Sequence, residues 1–138
     1  MSHQLRTLVE QHYENQTSGH PERDTDVFTS DVVSVIPGAP PMHSLDEFNQ
    51  RGAAFATAFP DARFEIRNTI ESENTIVVEG TYTGTHTGPL PTPQGEIPPT
   101  GRSVSVDYAD VFVLKGDRFG EHRVYFDTSA FMSQLGLA

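Results

Sequence analysis

The chain has 138 residues, no cysteine, and a formal net charge of −10 from 19 acidic against 9 basic side chains. Disulfides, thiolate metal sites and cysteine nucleophiles are excluded, and nucleic acid is not an expected partner, because phosphate binding needs a basic stripe and Lys115 is the only lysine. No apolar run nears the roughly 20 residues that span a bilayer. The start, Met1-Ser2-His3-Gln4-Leu5-Arg6, lacks the basic and apolar stretches of a secretory leader, so the sequence predicts one soluble, cytoplasmic domain over residues 1–138.

Leu5, Leu8, Val9, His12 and Tyr13 recur at the spacing of one helical face, and Gly19-His20-Pro21 stops that helix. Pro21 opens a short second helix reaching Phe28. Asp31 to Ile36 reads as a strand ended by Pro37-Gly38. Ser44-Leu45-Asp46-Glu47 is a capping box, and the helix it starts carries the apolar stripe Leu45, Phe48, Gly52, Phe55, Ala56, Phe59 before Pro60-Asp61. Phe64, Ile66, Asn68 and Ile70 alternate as a strand, and Thr75 to Thr87 is rich in Val, Thr and Tyr. Gly88 to Gly101, with five prolines, predicts an irregular functional loop or pocket lip. A strand from Arg102 to Leu114, the turn Lys115-Gly116-Asp117 and a strand from Arg118 to Asp127 make a hairpin. A last helix, Thr128 to Leu135, stops at Gly136. Helices first and an antiparallel meander afterwards define an α+β fold.

Two runs, Gly84-Thr85-His86-Thr87-Gly88-Pro89 and Pro98-Pro99-Thr100-Gly101-Arg102, resemble the SnoaL-like polyketide cyclase family, as do Ala58-Phe59-Pro60-Asp61 and Tyr125-Phe126-Asp127 with Gln134-Leu135-Gly136. The likeness covers about residues 5–136. It implies the NTF2-like cone-shaped barrel: a curved antiparallel sheet wrapped over the N-terminal helices, with a deep apolar pocket for a small hydrophobic ligand. It further implies a homodimer and cofactor-free, metal-free closure of a polyketide ester ring by an intramolecular aldol reaction. That chemistry needs a base, donors for an enolate oxygen and an acid for the new alkoxide.

Alternation places Val104, Val106, Tyr108, Asp110, Phe112 and Leu114 on one face, expected to point at the pocket. Counting back through the turn sets Asp110 opposite Arg123, so Arg123, Tyr125 and Asp127 are expected on the same wall, with His122 facing away. The resemblance gives Asp127 the acid/base role; directly ahead of a helix, it fits an N-cap equally well. Asp110 and Tyr13 resemble the oxyanion pair of ketosteroid isomerases, although Ile36 stands where that enzyme's base belongs; a salt bridge from Asp110 to Arg123 is the plain alternative. His86 either assists proton transfer or fixes its loop, and Tyr82 alternates with it. Asn49 matches a substrate-orienting asparagine of the family. The family's catalytic histidine on the penultimate strand has no counterpart, since Phe112, Val113 and Leu114 stand there. Epoxide hydrolysis lacks its Arg and Asp in Glu79-Gly80-Thr81-Tyr82, and the six histidines show no metal-ligand spacing. Two functional readings remain: an acid–base cyclase, and a small-molecule binder or other isomerase or lyase on the same scaffold.

Overall fold

A computed structural model describes residues 2–92 and 94–137, with side chains from residue 4 onward. Met1, Pro93 of the proline-rich segment and Ala138 lie outside the described residues. The elements run α1 (Ser2–Thr17), a 3-10 turn (Pro21–Asp26), β1 (Phe28–Val35), α2 (Leu45–Ala58), β2 (Arg63–Glu71), β3 (Thr75–Thr85), β4 (Leu90–Thr92), β5 (Gly95–Ile97), β6 (Ser103–Lys115), β7 (Arg118–Phe126) and α3 (Thr128–Gln134). The capping box forms as expected: Ser44 Oγ accepts from the Glu47 amide at 3.2 Å.

The main sheet has the order β1-β7-β6-β3-β2. Its hairpins are antiparallel, while β1 lies parallel to β7 at one edge. β1 begins three residues earlier than its apolar run suggests, because Phe28, fully buried, packs against Phe48, Phe112 and Phe119. Helices α1 and α2 cover the inner face, which joins Leu5, Val9 and Tyr13 of α1 and Phe48 of α2 to Val32, Val78, Tyr108 and Phe112 of the strands. Each large side chain buried there contributes about 1.5–3 kcal/mol. Among the described residues no helix is long and apolar enough to cross a membrane.

The proline-rich segment is not irregular throughout, and it is not a lip of the pocket. It holds the small hairpin β4–β5, in which Pro91 pairs with Glu96. A two-stranded sheet tolerates proline because each strand keeps a free edge. Leu90 anchors it in a second core with Phe59, Val104, Phe131 and Leu135. The segment is also clamped to the end of α2: the amides of Thr87 and Gly88 both donate to the Ala58 carbonyl at 3.0 and 3.2 Å. A Cβ on Gly88 would lie 2.1 Å from the Thr57 carbonyl oxygen, so only glycine permits this approach.

One backbone detail decides what faces inward. β6 and β7 pair Lys115 with Arg118 and Leu114 with Phe119, but Val113 then pairs with Glu121. Gly120 is the extra residue of a β-bulge. Beyond it every β7 side chain changes face relative to a regular hairpin. Asp110 therefore sits opposite Val124, and Phe112 opposite His122.

Candidate functional site

Between α1, α2 and the inner sheet face lies a cavity of about 390 Å³, within the range of small-molecule sites. Its wall is largely apolar and rich in phenylalanine, with Phe48, Phe55, Phe59, Phe64, Phe126 and Phe131. Eight polar side chains interrupt it: His12, Gln16 and Thr17 from α1, Arg51 from α2, Tyr82 from β3, Tyr108 and Asp110 from β6, and His122 from β7.

Three of these groups, Arg51, Asp110 and His122, belong to one chain of hydrogen bonds. Arg51 Nη2 donates to Ser34 Oγ at 3.0 Å. Ser34 Oγ lies 2.9 Å from His122 Nδ1, and His122 Nε2 lies 2.9 Å from Asp110 Oδ1. Tyr13 donates to Asp110 Oδ2. One assignment satisfies every member: Ser34 gives its proton to Nδ1, Nε2–H donates to Asp110, and Asp110 accepts on both oxygens. That assignment needs a neutral imidazole, and burial does push the His122 pKa below its ordinary value, against the opposing pull of Asp110. The hydroxyls of Tyr82 and Tyr108 are buried and make no protein hydrogen bond. Burial first, and a nearby carboxylate second (Asp61 for Tyr82, Asp110 for Tyr108), raise both phenols, so they remain O–H donors at neutral pH. Burial lowers the Arg51 guanidinium to about 10, which leaves it charged.

A neutral buried histidine has a consequence for stability. The unfolded chain takes up a proton at His122 as pH falls below about 6.5, and the folded chain does not. Unfolding therefore gains protons, and stability is full above that pH and declines below it, by at most about 1.4 kcal/mol per pH unit. Denaturant titrations between pH 7 and 5 should show a steeper loss for the wild type than for His122→Gln. Equal slopes would mean that the folded protein carries the imidazolium.

Of the residues singled out in the sequence, Asp110, Tyr82 and Tyr108 line the cavity, and Tyr13 reaches it only through Asp110. Asp127 does not. It is exposed and caps α3, its carboxylate accepting from the Ala130 amide at 3.0 Å. Arg123 and Tyr125 are turned outward by the bulge; Arg123 pairs with Glu121, not Asp110, and Tyr125 is 54% exposed. His122, expected outside, is inside for the same reason. His86 is buried away from the cavity, stacked on Phe59 with centroids 5.3 Å apart, and its Nδ1 accepts from the Thr100 amide at 3.2 Å. It fixes the loop. Asn49 is half-buried on α2 and is not part of the cavity wall. Asp127→Ala should cost about 0.5–2 kcal/mol in thermal or chemical unfolding, the usual worth of an N-cap. A loss well above that, or any change in ligand affinity, would restore a role for this carboxylate at the site.

The sequence reading also missed Arg51 and Ser34. Arg51 had a signal: it follows Phe48 by three residues and precedes Phe55 by four, a charge in the middle of an apolar helical stripe. Ser34 had none. Among the described residues no three His, Asp or Glu side chains converge as a metal site.

A curved sheet over helices, enclosing an apolar cavity with a few polar groups on its inner wall, defines an NTF2-like fold. A family model described as SnoaL-like polyketide cyclase matches residues 6–135, and the chain belongs to that family. Solved structures agree on the fold. A protein from Jannaschia sp. CCS1 assigned to the SnoaL-like polyketide cyclases is 19% identical with a TM-score of 0.86, over 98% of this chain and 93% of that one. TsrD from Streptomyces laurentii is 19% identical with a TM-score of 0.86, over 100% and 98%. IdmH from Streptomyces antibioticus, assigned as a polyketide cyclase, is 20% identical with a TM-score of 0.77, over 95% and 97%. No curated protein matches the chain.

Proposed function

We propose that the protein is a cofactor-free acid–base enzyme that forms an enolate of a hydrophobic carbonyl compound, with ring closure by intramolecular aldol addition as the full reaction. The single observation that carries this reading is the Asp110–His122 pair at the wall of an apolar cavity whose lining also includes Tyr82 and Tyr108, two tyrosines with buried, unpartnered hydroxyls. The resemblance implies a catalytic histidine on the strand before Asp127, and this chain has none there; its buried His–Asp pair is instead Asp110 on β6 with His122 on β7.

Asp110 is the base. It takes the proton next to the carbonyl, and the electrons move to the carbonyl oxygen. Tyr108 and Tyr82 donate hydrogen bonds to that oxygen as its charge develops. The enolate carbon attacks a second carbonyl of the same molecule, and the new alkoxide recovers the proton from the Asp110 carboxyl group. His122 holds the carboxylate in place and, with Tyr13, accommodates its change of charge. The alternative, a binding protein, draws on the fact that both Asp110 oxygens already accept protein hydrogen bonds.

Solvent deuterium exchange separates the two. Aryl ketones of increasing size, which exchange slowly unaided, should exchange their α-hydrogens faster with the protein, saturably, as followed by proton NMR. Binding without accelerated exchange would leave the binder.

A further inference from the structure

Arg51 is the one arginine, among the described residues, that is shielded from solvent and has no carboxylate partner. Arg6, Arg67, Arg118 and Arg123 each lie against an acid. Arg23, Arg63 and Arg102 are exposed. Arg51 is half-buried in the cavity wall, over the Phe48 ring at 5.8 Å, and its only hydrogen bond goes to Ser34. Asp110 shares the cavity and acts on Arg51 through its charge alone, which opposes the effect of burial; its two oxygens are held by Tyr13 and His122, and neither comes within ion-pair distance of the guanidinium.

A guanidinium carries five N–H donors, and here the protein uses one. The group is also held in place. Ser34 is fully buried, and its backbone is fixed by two 2.9 Å hydrogen bonds with Met42. Drawing a cation partly out of water without a counter-ion in contact is costly. A cavity wall that keeps such a cation, pinned at one nitrogen and otherwise open, is built to receive an anion.

We propose that the ligand is a free carboxylic acid on an aromatic or apolar body, with its carboxylate seated on Arg51, and not the ester that the family resemblance implies. The assignment rests on the reading of this cavity as the substrate site. A carboxylate matches the planar guanidinium fork. A monoanion meets less repulsion from Asp110 in the same cavity, and from a chain of net charge −10, than a dianion such as a phosphate monoester. The remaining wall, rich in phenylalanine, suits the rest of such a molecule. The carboxylate fixes one end of the ligand on α2, so its carbonyl faces the β6 wall that carries Tyr108 and Asp110.

The test is calorimetric binding of matched pairs, each an arylalkanoic acid and its methyl ester, from phenylacetate up to tricyclic aryl acetates. The wild type should prefer the acid in the pairs that fit. Arg51→Met should lose about ten- to hundred-fold in acid affinity, the worth of a hydrogen bond to a charged group, and should favour the ester. Arg51→Lys, which keeps the charge without the fork, should fall between. Asp110→Asn removes the neighbouring negative charge and should increase the preference for the acid. No preference for acid over ester in any pair, or a preference that survives in Arg51→Met, overturns the proposal. Its failure is distinct from that of the enzymatic reading: deuterium exchange of neutral ketones without acid preference removes the carboxylate subsite alone, and acid preference without exchange leaves the subsite on a binding protein.

Discussion

Asp110→Asn should slow α-proton exchange in a bound aryl ketone by about 10²–10⁴-fold, the usual contribution of a positioned general base. The substitution keeps the shape of the side chain and removes its basicity. It should not unfold the protein, because the hydrogen-bond chain can re-form. An amide oxygen still accepts from Tyr13, and if the amide nitrogen turns to His122 Nε2, the imidazole moves its proton to Nδ1 and donates to Ser34. That rearrangement gives the variant a second signature: the ring-nitrogen NMR shifts of His122 should report the opposite tautomer. Exchange rates and unfolding curves must be measured on the same preparation. A folded Asp110→Asn protein that exchanges within threefold of the wild type would falsify the assignment of Asp110 as base.

The second large effect lies behind the cavity. Asp24, fully buried in the 3-10 turn, is the hub of the far end of α1. His12 Nδ1 donates to its Oδ2 at 2.8 Å, Gln16 Nε2 to the same oxygen at 3.1 Å, and Asn15 Nδ2 to Oδ1 at 2.8 Å. His12 and Gln16 also line the cavity, so this one carboxylate sets the position of α1 against the site. Asp24→Ala leaves three donors without an acceptor, each costing about 1–3 kcal/mol if buried and unpaired. Because the losses overlap, the sum should be about 3–5 kcal/mol, against a total stability of about 5–15 kcal/mol for a domain of this kind. The melting temperature should fall by roughly 10–20 °C. Asp24→Asn retains one acceptor oxygen and should lose less. A drop below about 1 kcal/mol for Asp24→Ala would show that water or a local shift satisfies these donors, and that α1 is not held from this point.

The two effects separate chemistry from scaffold. Asp110 is the base of the proposed reaction; its partners, Tyr13 and His122, come from α1 and from β7. Asp24 is not part of the cavity wall, and its removal should alter affinity only as far as α1 moves. A variant series that lowers stability and exchange together would point to Asp24, and one that lowers exchange alone to Asp110.

The periodicities along the chain determined the fold class, the order of the elements apart from the small hairpin β4–β5, the inward face of β6 and the cap of α2, because each depends on residues close together in sequence: a helical stripe, a two-residue alternation, a side chain reaching three positions on. They also placed Asp110 and Tyr108 on the face that lines the cavity. What they could not settle was β7. Its inward face depends on whether the hairpin accommodates one extra residue, and that depends on how β7 fits between β6 and β1 in three dimensions. The bulge at Gly120 put His122 inside and left Arg123 and Tyr125 outside, beyond the reach of any count from the turn. It is followed by Asp127, whose carboxylate caps α3 from the surface. The pairing of Arg51 with Ser34 was equally hidden, because it joins a helix to an edge strand through side chains 17 positions apart. Local sequence set which side chains could face the core; only the packed sheet decided which of them meet.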